Sequence, residues 1–137
     1  MTPEKAFENQ VKRWLKGLGI YSLGTDEKDM DVPSIGYYEK RWGGGYSQKG
    51  LPDLHMVVKG INLDVELKAQ TGRPTDLQRF MIRQINASGS LALILYPDRF
   101  QEFKTLIKGV CECNSVIPAL NALKAVHSSF NYGTKTK

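Results

Sequence analysis

Hydrophobic residues recur at helical spacing in the first segment of the chain. Thr2-Pro3-Glu4 has the features of a helix start, with a capping hydroxyl, a proline at the first helical position and an acid in the first turn. The apolar residues that follow are three or four positions apart and end at a glycine: Phe7, Val11, Trp14, Leu15 and Leu18, then Gly19. The segment is therefore predicted to be an amphipathic helix, with Glu8 at the edge of its apolar stripe.

A β-hairpin is predicted in the middle of the chain. Residues 51–58 and 61–69 are joined by Lys59-Gly60, a pair of residues that suits a tight turn. From Leu63 to Lys68 apolar and charged residues alternate strictly, so the charged side chains share one face of their strand. Residues 20–23, 37–42 and 90–96 suit further strands, the last of them covered on both faces.

Further helices are predicted on either side of the last strand. Thr75 and Gln78 have capping-box spacing before a helix from Asp76 to about Ala87. Its predicted buried residues are Leu77, Phe80, Met81 and Ile85. Asp98 and Gln101 are expected to cap the next helix, and residues 111–127 to add a last one. The order α-β-β-β-α-β-α predicts an α/β fold, with a central mixed sheet flanked by helices in one domain spanning residues 1–137.

The charge of the chain favours an acidic partner. Its formal net charge is +5 with a pI near 9.2, which favours polyanions such as nucleic acid. No apolar run approaches the roughly 20 residues that span a bilayer, and no signal-peptide pattern opens the chain, so we expect a cytoplasmic protein without a membrane partner. Cys111 and Cys113 are interpreted as ordinary reduced thiols.

Candidate chemistry lies at one end of the hairpin. Antiparallel pairing about Lys59-Gly60 brings Asp53 roughly opposite Glu66 to Lys68. Two converging carboxylates repel each other unless a cation lies between them, and oxygen ligands select a hard ion such as Mg²⁺. The Leu67 carbonyl is a candidate further oxygen, and Lys68 a candidate for orienting water or offsetting phosphate charge. Taken singly, the E-x-K strand is commonly a solvated ion pair and P-D a common turn.

These motifs resemble a known family. Gly50-Leu51-Pro52-Asp53, then Val65-Glu66-Leu67-Lys68, then Gln78 is similar to the VRR-NUC branch of the PD-(D/E)xK nucleases. The stretch from Trp42 to Gly45 resembles one that precedes the P-D motif in small phage and prophage proteins of this kind. The resemblance covers roughly residues 3–108 and leaves out an extension at 109–137.

The resemblance implies a fold, a cofactor and a set of roles. It implies a restriction-endonuclease-like core, dependence on Mg²⁺ or Mn²⁺, and homodimers that act on branched or flapped DNA in the cytoplasm of a bacterial or phage-infected cell. By this similarity Asp53 and Glu66 are metal ligands and Lys68 positions the attacking water. Glu8 would reach the metal through water, and Gln78 would hold Lys68 or a phosphate.

Several other polar residues are open to two interpretations. The candidate DNA contacts are Lys40, Arg41, Tyr46, Lys49 and Arg73, of which the first four flank the glycine-rich loop. The alternative for that group is a solvated strand end. His55 is interpreted as a structural or supporting residue, Asp64 as a solvated acid, and Lys12, Arg13 and Lys16 as a solvated helix face.

The function expected from these features is that of a metal-dependent DNA endonuclease, selective for branched, flapped or junction DNA. One alternative is a non-catalytic DNA-binding or scaffold protein built on a nuclease fold. Another is a nuclease that acts on RNA or on single strands.

Overall fold

The computed structural model describes residues 1–41, 48–113 and 116–127. The helices and strands, in chain order, are α1 (Pro3–Leu18), β1 (Ile20–Ser22), β2 (Gly36–Lys40), β3 (Leu54–Val58), β4 (Ile61–Leu67), α2 (Asp76–Ala87), β5 (Leu91–Leu95), α3 (Phe100–Cys111) and α4 (Val116–His127). Short 3₁₀ turns occupy Glu27–Asp29 and Pro97–Arg99. Within the described ranges, every helix is too short or too polar to cross a membrane.

The five strands form one open mixed sheet in the order β1-β2-β3-β4-β5. β1 runs parallel to β2 and β4 parallel to β5, whereas β2, β3 and β4 are antiparallel neighbours. The predicted α/β class with a mixed sheet flanked by helices is confirmed. The predicted order α-β-β-β-α-β-α is one strand and one helix shorter than the observed order, although the segments that form β1 and α4 were each predicted individually.

One face of the sheet carries the main hydrophobic core. α1 and α3 pack on this face, and the aromatic rings of Phe7 and Trp14 meet Phe100 edge-on at centroid distances of 5.6 and 6.0 Å. The buried strand residues of this core include Leu54, Met56, Leu63, Val65, Leu67, Leu93 and Leu95. Burial of this many aliphatic and aromatic side chains provides most of the driving force for folding.

The opposite face is covered by α2 through a much smaller cluster. Ile82 packs there against Ala92 and Ile94 of β5, with Ile85 partly buried beside them. The predicted burial of Leu77 and Phe80 was wrong, since their side chains are 42% and 48% exposed. α2 contacts the sheet mainly over β5, so only a narrow stripe of the helix faces inward.

The start of α3 also differs from the prediction. The helix begins at Phe100 after the 3₁₀ turn, and the side chain of its N-cap residue, Arg99, makes no capping hydrogen bond. Asp98 lies inside that turn, where its backbone N–H donates to Gln70 Oε1 at 3.0 Å, and the expected capping by Asp98 and Gln101 was therefore wrong.

The C-terminal end of α3 is held by the hairpin turn, and α4 packs on the main core. Lys59, at the turn between β3 and β4, donates from Nζ to the carbonyls of Cys111 and Cys113 at 3.0 and 2.7 Å. The Lys59 ammonium accounts for hydrogen bonds that the last carbonyls of α3 cannot make within the helix, and its positive charge interacts favourably with the helix dipole. Leu120 of α4 packs against the main core. Residues beyond the resemblance thus contribute to the folded unit.

Candidate metal centre

The open end of the β3–β4 hairpin brings two carboxylates together. Leu54 pairs with Val65 in the antiparallel register, so the next residues outward, Asp53 and Glu66, lie opposite each other. Cross-strand partners point to the same face of a sheet. Glu66 also pairs with Ile94, which places both acids on the face that α2 covers. The expected convergence of Asp53 and Glu66 is what the strand register produces.

At the end of the hairpin, the Asp53 side chain accepts a backbone hydrogen bond from β4 in place of a backbone carbonyl of β3. Its Oδ2 accepts the Leu67 backbone N–H at 3.0 Å, while the Pro52 carbonyl accepts from Arg41 Nη1 at 3.2 Å. Backbone groups alternate along a strand, so the Leu67 carbonyl points towards the same neighbour as its N–H. That neighbour is Pro52 by register, and proline has no N–H to donate. Pro52 therefore leaves the Leu67 carbonyl available as an oxygen ligand.

Glu66 is a buried carboxylate with one oxygen bound and one oxygen orphaned. Its side chain is almost fully buried, and Oε2 accepts from Gln78 Nε2 at 3.1 Å and lies 3.3 Å from Lys68 Nζ. Oε1 is buried without a hydrogen-bond partner among the described residues. An unsatisfied buried carboxylate oxygen is costly and uncommon in folded proteins. A cation bound at this atom would remove that cost.

Gln78 is fixed by its position in a capping box. Its Oε1 accepts from the Thr75 backbone N–H at 2.9 Å, and its own N–H donates to Thr75 Oγ1 at 3.0 Å. The remaining amide nitrogen is thereby directed to Glu66. The helix start thus orients one carboxylate of the site. The side chain that Gln78 contacts is Glu66 rather than the expected Lys68.

The protonation of Glu66 reflects this crowding. Burial is the largest effect and the Asp53 carboxylate the second, and together they raise the pKa of Glu66 to about 7 from its ordinary value of 4.5, although Lys68 opposes the rise. A second carboxylate that makes Glu66 harder to ionise is a favourable place for a divalent cation, whose charge would offset both acids.

The donors present fit a magnesium site. Asp53, Glu66 and the Leu67 carbonyl offer only oxygen, which suits Mg²⁺ or Mn²⁺. The described residues contain no group of three or more acidic, histidine or cysteine side chains arranged for a metal. Mg²⁺ commonly binds through one or two carboxylates, retains waters and completes its shell with substrate phosphate, so two carboxylates are enough for such a site.

Glu4, an exposed acid on the first turn of α1, also adds to the rise in the pKa of Glu66, by less than burial and Asp53 do. The sequence analysis used Glu4 only as a helix-start signal and chose Glu8 as the acid that reaches the metal. Both acids lie four positions apart on one helix, and the helical period does not tell which of them reaches the end of the sheet.

Glu8 lies instead on the other face of the sheet, among lysines. Its carboxylate contacts Lys5 at 3.1 Å, Lys12 at 2.6 Å and Lys40. Lys40 pairs with Leu54, which belongs to the core under α1. Burial acts to raise the pKa of Glu8, but its hydrogen bonds to Lys12, Lys40 and Lys5 outweigh it and lower the pKa to about 2. The geometry thus supports a structural role that joins α1 to β2.

Buried acids have ion-pair partners among residues that were predicted to contact DNA or solvent. Lys40 and Lys12 contact Glu8, and Arg41 contacts Asp64 through Nη1 at 3.1 Å. The interpretation of Lys12 as solvated was wrong, whereas Arg13 and Lys16 are exposed as expected.

The interpretation of Asp64 as a solvated acid was also wrong. Its carboxylate is buried, and the Oδ1 atom that contacts Arg41 lies 2.9 Å from His55 Nδ1. β4 is flanked by β3 and β5, so its charged face is enclosed by neighbouring side chains rather than by water. His55 supports Asp64, as the structural interpretation expected.

The other predicted DNA contacts lie at the surface or outside the described residues. Lys49 and Arg73 are exposed. Tyr46 and the stretch from Trp42 to Gly45 fall outside the described ranges. Arg73 lines a cleft of about 540 Å³ beyond the end of β4, together with Gln70, Thr71, Tyr96 and Arg99.

Comparison with protein-family models, with curated proteins and with solved structures finds no match to this chain. The interpretation of the site therefore depends on its own geometry.

Replacing Glu66 with glutamine should stabilise the metal-free protein at alkaline pH. The folded-state pKa of Glu66 is raised from 4.5 to about 7, so its contribution to stability is full below pH 4.5 and is lost as the pH rises through 7. In EDTA at pH 8, urea titration should give Glu66→Gln a free energy of unfolding higher than that of the wild type by up to about 3 kcal/mol. This difference should vanish near pH 4.5. The exposed Glu39→Gln is the control and should show no such trend. A less stable Glu66→Gln at pH 8 would contradict this account.

Replacing Glu8 with glutamine should have the opposite effect. The lowered pKa means that Glu8 stabilises the fold fully above pH 4.5 and loses that contribution as the pH falls towards 2. We expect Glu8→Gln to cost about 2 kcal/mol at pH 7, and less below pH 4. Glu102→Gln, which removes one exposed ion pair to Arg99, should cost below about 0.5 kcal/mol in the same urea titrations. Equal losses for the two variants would show that the lysine cluster adds nothing to stability.

Proposed function

We propose that this protein is a metal-dependent DNA endonuclease of the PD-(D/E)xK type, with a restriction-endonuclease-like arrangement of its mixed sheet. The observation that carries the proposal is the orphaned, buried Oε1 of Glu66, opposite Asp53 at an open hairpin end. At Glu8, by contrast, both carboxylate oxygens contact lysines. A cation bound by Asp53, Glu66 and the Leu67 carbonyl accounts for the unsatisfied atom.

The side chains around these ligands suit phosphodiester hydrolysis. When bound, Mg²⁺ or Mn²⁺ would polarise the scissile phosphate and lower the pKa of a coordinated water. Lys68 follows Glu66 by two residues on the same face, and its ammonium lies 3.3 Å from the Glu66 carboxylate. There it can orient the attacking water and offset the negative charge that develops on the phosphate. Gln78 restricts the rotation of Glu66 and leaves its other oxygen free to bind a cation.

The proposed substrate is DNA, with branched, flapped or junction forms favoured. The chain is basic overall, and Lys49 and Arg73 are exposed near the two ends of the site. Cations at such positions bind phosphates without reading bases, as expected of an enzyme that recognises shape. The proposal includes a homodimer, since paired cuts in a branched substrate need two sites. It also includes action in the cytoplasm. Sedimentation velocity tests the dimer directly.

Cleavage assays on flaps, forks, four-way junctions and linear duplexes test the proposal. In Mg²⁺ the wild type should cut branched DNA, and Asp53→Asn should reduce the rate at least about 1000-fold by weakening the metal site. Lys68→Met should cost about 100- to 1000-fold and Gln78→Ala about 10- to 100-fold. Binding of the same DNA should change little. Glu39→Gln, an exposed acid on β2, is the control and should cut like the wild type.

Two outcomes would contradict the proposal. DNA binding without cleavage by the wild type in either Mg²⁺ or Mn²⁺ would indicate the scaffold alternative. Cleavage that survives Asp53→Asn would mean that the chemistry takes place elsewhere.

A further inference from the structure

Two large apolar side chains are exposed beside the proposed site. Leu77 and Phe80 on α2 are 42% and 48% exposed, and we call them the Leu77–Phe80 patch. They lie about 60° apart around the helix, so they form one continuous surface. Single exposed apolar residues are common, but two adjacent ones at a proposed active site call for a function.

The patch is connected to the site through its neighbours on both sides. Leu77 directly precedes Gln78, whose side chain holds Glu66. Leu77 also packs on Gly50, where an added Cβ would lie 2.6 Å from Leu77 Cγ, and Gly50 is three residues before Asp53. Phe80 follows one helical turn farther out, at a rise of about 5 Å. A DNA strand with its phosphate at Glu66 would therefore have its next nucleotides within reach of the patch.

The charges around the patch fit a polyanion. α2 contains one acid, Asp76, and two arginines. Arg79 contacts Asp76 and the Pro74 carbonyl, and Arg83 is exposed one turn beyond Phe80. An apolar surface bordered by arginines suits nucleic acid, since bases stack on aromatic side chains while cations bind the adjoining phosphates.

The size of the patch distinguishes a base from a second protein chain. Exposed fractions of 42% and 48% leave on the order of 200 Å² of apolar surface. A stable protein interface needs about 800 Å² from each partner. One or two nucleobases would cover the patch completely, whereas it would supply only a fraction of a dimer interface.

We propose that the Leu77–Phe80 patch is a wedge that stacks against unpaired bases at the branch point of DNA. In a linear duplex the bases are already stacked, and opening them costs free energy. At a flap or junction that cost is smaller, so the patch favours branched DNA. This inference rests on the proposed nuclease function, and it assigns the choice of DNA shape to residues outside the metal centre.

Fluorescence of 2-aminopurine placed at the branch point tests the wedge without requiring cleavage. In EDTA, wild-type protein should change the fluorescence of a flap carrying the probe at its branch, and not that of a matched linear duplex. Phe80→Ala and Leu77→Ala should lose this change and bind the flap about 5- to 100-fold more weakly, with duplex binding unaltered. Phe80→Trp should restore both signals. The controls are two exposed residues that should match the wild type when replaced. Leu23→Ala removes a leucine next to β1, at the edge of the sheet opposite to β5, and Gln84→Ala lies on α2.

The outcomes separate this inference from the nuclease proposal. If the wild type gives the fluorescence change but never cuts DNA in Mg²⁺ or Mn²⁺, the wedge stands and the nuclease proposal fails. If the wild type cuts flaps and Phe80→Ala keeps the same flap-to-duplex ratio of kcat/KM and the same fluorescence, the wedge is overturned. A Phe80→Ala variant that turns from dimer to monomer in sedimentation, with equal loss on all DNA shapes, would overturn it in favour of a second copy of the chain.

Discussion

The organisation of this protein depends on the placement of one negative charge, the Glu66 carboxylate, inside a sheet where it is only half satisfied. Gln78 and Lys68 occupy one of its oxygens, and Asp53 lies opposite on the neighbouring strand. Burial and the second acid raise the pKa of Glu66 to about 7. A fold that tolerates such a group without a ligand gives up stability, which is the usual relation between an active site and the structure around it.

The main hydrophobic core and the proposed metal site lie on different faces of the sheet. α1 and α3 bury the large core on one face, and the Glu8 cluster of lysines joins α1 to β2 there. The other face carries Asp53, Glu66, Asp64 and His55 and is covered by α2 through three buried residues. The asymmetry explains why Leu77 and Phe80, apolar residues of an amphipathic helix, remain at the surface.

The sequence was sufficient to predict those features that follow from local pattern. Strict alternation from Leu63 to Lys68 and the turn at Lys59-Gly60 predicted the hairpin, its register and hence the meeting of Asp53 and Glu66. The spacing of Thr75 and Gln78 predicted the capping box. Features that depend on long-range packing were not predictable in the same way. The burial of Asp64 depends on His55 reaching it from β3 and Arg41 from beyond the end of β2. The ion pairs of Glu8 depend in part on Lys40 of β2, which is 32 residues away along the chain.

The central claim is that the free oxygen of Glu66 and the carboxylate of Asp53 share a divalent cation. Crystals soaked in Mn²⁺ and measured at the manganese absorption edge would test this most directly. We expect one anomalous peak about 2.1 Å from Glu66 Oε1, shared with Asp53 and the Leu67 carbonyl. A protein hydrogen-bond donor at Glu66 Oε1, with the manganese peak absent from the hairpin end or located elsewhere, would contradict the account.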